Sequence, residues 1–96
     1  MTRAEILAAL RSYKQDTSSR YGIQALGLFG SMARDDSKPS SDIDIVVQLE
    51  KQDLFCLIGI KQELQELLHA AIDLVSYRPT MNEFLKNRVE RDAIYV

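Results

Sequence analysis

Apolar residues recur along this chain at two periods, helical and strand-like, and the switches between them outline the fold. Ile6, Leu7, Leu10 and Tyr13 share one face of a helix. Thr2 and Glu5 have capping-box spacing, so that helix is expected to begin at Thr2. Residues 16–20 read as a polar break. Residues 23–29 form a short apolar run of β character that closes on Gly30-Ser31. A short helix over 32–36 can start from that turn, and 37–41, with Pro39, reads as a loop. A second strand is predicted over 42–49. The longest helix spans 54–69, with Leu57, Ile60, Leu64, Leu67 and Leu68 as its buried stripe and Gly59 as a slight weakness. A third strand over 71–77 stops at Pro79. Thr80 with Glu83 predicts a second capping box, a helix through about Arg91, and a last short strand over 93–96. The expected fold is α/β: a small mixed β-sheet flanked by helices, packed mainly on one side.

The strands carry charges where a buried strand should not. Asp42 and Asp44 are two residues apart and leave the same face of a strand, while Ile43, Ile45 and Val47 leave the other. Asp73 lies within the apolar run AAIDLVSY, opposite in facing to Ile72 and Leu74. A carboxylate in such a run needs a partner, a cation or an exposed face. If the second and third strands are neighbours, Asp42, Asp44 and Asp73 share one open sheet face. Three carboxylates there could hold two Mg²⁺ ions, the arrangement used for in-line displacement at phosphorus. Gly30 allows a close backbone approach, and Ser31 offers backbone N–H groups and a hydroxyl to phosphate oxygens. Arg34 could reach the same phosphates or cap the turn. Singly, each feature has a plainer reading. Gly-Ser is common in turns, Asp-x-Asp is often a solvated face, and Asp73 and Arg34 could be ordinary edge or surface residues. His69 closes a helix, where the dipole favours a cation, and Cys56 reads as a small core hydrophobe. The order of the features carries the weight: phosphate turn, spacer, paired aspartates, helix, third aspartate.

Composition narrows the classes. A chain of 96 residues has room for one core, so residues 1–96 are read as a single domain. A formal net charge of −2 argues against a general nucleic-acid binder. Cys56 is the single cysteine, which leaves no intrachain disulfide and no Cys-rich zinc site. The first residues look like an amphipathic helix rather than a signal peptide, and no apolar run approaches a membrane span. A reduced, cytoplasmic protein without a membrane partner is expected.

Gly30-Ser31, ten intervening residues, then Asp42-Ile43-Asp44 resembles the signature of the polymerase-β-type nucleotidyltransferase superfamily. GSMAR…SDIDIVV, the later AIDLV and the closing RDAIYV resemble its smallest branch, the minimal nucleotidyltransferases, over nearly the whole chain. The resemblance implies a polymerase-β-like palm core and an antitoxin paired with a HEPN-domain ribonuclease toxin. It implies ATP as donor and transfer of AMP to a tyrosine hydroxyl of that toxin. By position, Gly30 and Ser31 would hold the triphosphate, Asp42 and Asp44 both metals (Mg²⁺, or Mn²⁺), and Asp73 the catalytic metal. Asp92 stands where many relatives have Glu. The expected assembly is a hetero-oligomer with the toxin and no direct nucleic-acid contact. Two other readings remain open: transfer to a small hydroxyl acceptor, and a non-catalytic antitoxin that acts by binding alone.

Overall fold

The computed structural model describes residues 2–34 and 42–96. The element order is α1 (Arg3–Tyr21), β1 (Ile23–Phe29), α2 (Gly30–Arg34), β2 (Ile43–Leu49), α3 (Leu54–Leu68), β3 (Ile72–Ser76), α4 (Glu83–Asp92) and β4 (Ile94–Tyr95). The four strands form one mixed sheet in the order β3-β2-β1-β4. β1 runs antiparallel to both β2 and β4, and β2 runs parallel to β3. Among the described residues, no helix is long and apolar enough to cross a membrane.

The capping box at Thr2 is present in both halves: Glu5 N–H donates to the Thr2 hydroxyl at 3.2 Å, and Thr2 N–H donates to Glu5 Oε1 at 2.9 Å. The polar stretch 16–20 does not break the helix. Thr17 continues the buried stripe four residues after Tyr13, its hydroxyl donating to the Tyr13 carbonyl at 2.6 Å. Gly22 is the stop instead, with φ of 67° and its N–H on the Ser18 carbonyl.

One sheet face is buried under α1 and α3. Ile43, Ile45, Val47 and Ile72 sit there among Ile6, Leu10, Ile60 and Leu64, with Leu74 packed against them. Asp53 caps α3, accepting from Phe55 N–H at 2.9 Å, and His69 closes it in the left-handed conformation with φ of 51°. The expected stripe needs one correction: Leu67 points outward, 43% exposed, because Ile60, Leu64 and Leu68 at four-residue spacing already fill the contact line.

The other face is less open than the strand pattern suggests. α4 lies against it, and Phe29, Val46 and Val89 form a second small cluster there. α4 also starts later than expected. Asn82, rather than Thr80, is its cap, the Asn82 carboxamide oxygen accepting from Leu85 N–H at 3.1 Å. Thr80 falls in the preceding turn, which the Met81 N–H closes onto the Arg78 carbonyl. The expected helix over 32–36 runs instead from Gly30 to Arg34, its last two positions lying outside the described residues with the loop over 37–41.

Candidate active site

Strand register brings the acidic positions together. Asp44 is the strand partner of Phe29 on one side and of Asp73 on the other, so Phe29, Asp44 and Asp73 make one row across the sheet. Adjacent strands are about 4.8 Å apart. The charge of Asp73 therefore bears directly on the Asp44 carboxyl. Asp42 stands just before β2, one residue outside the ladder and exposed, with its charge still felt by Asp44. Asp44 and Asp73 are therefore on the α4 side of the sheet, as the alternation of Ile43 and Ile45 requires.

Asp44 is half-buried, and its carboxyl is pushed above the ordinary carboxylate range. Desolvation is the largest cause; the charges of Asp73 and then Asp42 add to it, while the Arg88 guanidinium pulls the other way. Among the described residues, no three carboxylate, histidine or cysteine groups close into a ready-made metal cage. The donor set nevertheless suits a hard divalent cation: Asp44 and Asp73 are strand neighbours whose charges repel one another.

The Gly30 turn forms the wall of this row. Gly30 has φ of 73° and stands so close to Asp44 that a Cβ there would meet Asp44 Oδ2 and lie 3.0 Å from its Cγ. Ser31 follows, half-buried at the start of α2. Arg3 of α1 holds the far end of that turn, its guanidinium donating to the Ala33 carbonyl at 2.9 Å. Arg34 is bound to Asp92 at 2.7 Å. The Asp92 side chain is only 5% exposed and also takes the Arg91 guanidinium at 3.0 Å. The bond to Arg91, then that to Arg34, holds its carboxyl below the usual range.

Sequence reasoning reached Gly30, Ser31, Asp42, Asp44 and Asp73, and the structure brings Gly30, Asp44 and Asp73 into contact around one row. It missed Arg88, whose guanidinium lies over the Phe29 ring, 5.8 Å from its centre. It also missed Arg3. Neither side chain advertises itself locally, because each reaches the site only through the packing of its helix.

Residues 13–96 match the family described as polymerase beta, nucleotidyltransferase. The protein adenylyltransferase MntA of Thermococcus cleftensis is 32% identical over 97 residues, covering 100% of this chain and 97% of that one. A candidate protein adenylyltransferase of Methanocaldococcus jannaschii is 34% identical over 96 residues, covering 99% and 98% of the two chains. Among solved structures, a candidate minimal nucleotidyltransferase superposes with a TM-score of 0.78 at 33% identity, over 98% of this chain and 95% of that one. A toxin–antitoxin crystal structure with AMP-PNP superposes with a TM-score of 0.71 at 25% identity, over 99% of this chain and 72% of that one.

Proposed function

Since the chain belongs to the polymerase beta nucleotidyltransferase family, we propose that it is a cytoplasmic antitoxin that transfers AMP from ATP to a tyrosine hydroxyl of a HEPN-domain toxin. The observation that carries this reading is the contact between Gly30 and Asp44, whose strand neighbour is Asp73; it supports a phosphate-binding turn set against a cation-binding row. Relatives that match end to end are named protein adenylyltransferases, and a neighbour of like fold was crystallised as a toxin–antitoxin pair with an ATP analogue.

In the proposed reaction the tyrosine oxygen attacks the α-phosphorus of ATP. A phosphorus–oxygen bond to tyrosine forms, the bond to the bridging oxygen breaks, pyrophosphate leaves, and the phenolic proton passes to solvent. Mg²⁺ or Mn²⁺, up to two ions held by Asp42, Asp44 and Asp73, would stabilise the charge that develops on the attacking and leaving oxygens. Gly30 lets the phosphate chain approach the backbone, and Ser31 donates from its hydroxyl and N–H. Arg34, aligned by Asp92, adds a positive charge at the end of the same turn. Among the described residues the row lies at one end of a sheet face with Asp42 exposed, and a docking macromolecule would exclude the water that weakens these interactions. A protein acceptor satisfies that need better than a free small molecule, and implies a hetero-oligomer with the toxin.

The test is to incubate the protein with Mg²⁺, labelled ATP and the HEPN protein encoded beside it, and to locate the label by mass spectrometry. AMP on a toxin tyrosine is the expected result. A toxin that is silenced but never labelled replaces this reading with inhibition by binding. Label on a small hydroxyl compound alone moves the acceptor.

A further inference from the structure

One more cation stands over the acidic row. Arg88 comes from α4, and its guanidinium lies 5.8 Å from the centre of the Phe29 ring. Phe29 is the strand partner of Asp44, so this guanidinium sits above the same end of the sheet as the carboxylates. Its situation differs from that of the arginines nearby. Arg34 and Arg91 are both bound to Asp92. Arg88 is half-buried, yet among the described residues its guanidinium makes no hydrogen bond and no salt bridge. A cation over a ring is attracted only within about 6 Å of the centroid, so the Phe29 contact is near its outer limit and holds the group weakly.

A guanidinium carries five N–H donors in a planar fork, a geometry that matches the paired oxygens of a phosphate group. To leave that fork over an aromatic ring is an ordinary resting state only if something better arrives. The acidic row does not hold it in an ion pair among the described residues, although its charge is felt by Asp44. α2, which begins at Gly30, packs against α4, so a phosphate chain held at the Gly30 turn would lie beside the helix that carries this fork.

We infer that Arg88 binds the phosphate chain of the donor nucleotide, exchanging its loose position over Phe29 for a bidentate contact with phosphate oxygens. This inference rests on the nucleotidyl-transfer reading above and adds to it a residue from outside the sequence signature. α4 then does more than cover the second sheet face, because it carries a charge that the phosphate chain meets.

The experiment measures binding of AMP-PNP with Mg²⁺ by calorimetry, together with melting temperature, for the wild type and for Arg88→Ala, Arg88→Lys and Arg78→Ala. Arg78 is exposed beyond the far end of β3 and serves as the control for loss of one positive charge. Arg88→Ala is expected to bind about tenfold more weakly or worse, with a shallower salt dependence, and Arg88→Lys to recover part of the loss. Arg78→Ala should bind as the wild type does, and all variants should melt close to it. Binding by Arg88→Ala within about twofold of the wild type overturns the assignment while leaving the transfer reading intact. So does a loss that Arg88→Lys fails to restore and that follows a fall in melting temperature, because Arg88 is then only a packing residue. A wild-type protein that binds no nucleotide removes the transfer reading itself, and this inference with it.

Discussion

Gly30 presses its bare α-carbon against the carboxyl group of Asp44, leaving no room for even a methyl group between them. The glycine is doubly required, since its φ of 73° lies in the left-handed region. Gly30→Ala is therefore expected to lose about 1–2 kcal/mol from the backbone alone, and more from displacing Asp44. Denaturant unfolding measures the first effect and AMP-PNP affinity the second. A variant as stable as the wild type would mean that Asp44 moves aside without cost.

The Asp44 carboxyl carries a pH signature. In the fold it holds its proton at pH values where the unfolded chain has released it, because burial and then the charge of Asp73 raise it. Stability contributed by this group is thus present in acid and lost as pH rises from the ordinary carboxylate range through the raised value. Asp44→Asn removes that loss. Without divalent metal the variant should melt above the wild type at pH 8, and the two should converge near pH 3, where both side chains are neutral. AMP transfer by the variant should nevertheless fall at least a hundredfold, an expectation of the order seen when a group stabilising the transition state is lost. Melting curves across this range in chelator check the sign, and a variant that melts lower at pH 8 would show the repulsion to be mis-assigned.

Period and spacing were enough to place the acidic row. Strand alternation put Asp44 and Asp73 on the face opposite Ile43 and Ile72, and the parallel pairing of β2 with β3 then made them neighbours. What spacing could not show was long-range packing. Asn82 and Thr80 are both good caps, and the choice between them depends on where α4 meets Phe29 and Val46. The same docking brings Arg88 to the site, over 40 residues from Asp44 in sequence. The polar stretch 16–20 misled for a related reason: Arg20 looks like a loop residue until Glu63 on α3 is seen to receive it.

Glu63 ties the first and third helices together. Its carboxylate accepts from the Tyr13 hydroxyl at 2.8 Å, the Tyr21 hydroxyl at 3.0 Å and the Arg20 guanidinium at 2.8 Å. The Tyr13 hydroxyl is held well above its ordinary pKa by burial and then by this carboxylate. The exposed Arg20 pair contributes little, and the part-buried Tyr13 bond contributes most. Glu63→Ala should cost about 1–3 kcal/mol in denaturant unfolding while leaving nucleotide affinity unchanged, since the helix face it secures is on the other side of the sheet. A loss of affinity at full folding would tie this clasp to the site.

Two exposed phenylalanines among the described residues offer a protein acceptor a place to land: Phe84 on α4, 75% exposed, and Phe55 on α3, 84% exposed. An acceptor tyrosine must reach the row at Asp44, near the start of β2. Phe55 follows the end of that strand, and Leu49 is five residue steps along it from Asp44, about 17 Å. Phe84 lies one helical turn before Arg88 on the same flank of α4, and Tyr95, 51% exposed, continues that side from the edge strand β4. A partner seated on Phe84 covers the carboxylate row as it docks, whereas one seated on Phe55 alone leaves it in water. Phe84→Ser should therefore raise the KM for the protein acceptor by roughly tenfold with kcat nearly unchanged, the mark of lost uniform binding. Phe55→Ser should change neither constant. Both positions are so exposed that the fold should tolerate the substitutions, which a melting curve checks directly. If Phe55→Ser raises KM and Phe84→Ser does not, the acceptor approaches from the α3 side and must carry a segment long enough to reach around the sheet edge to Asp44.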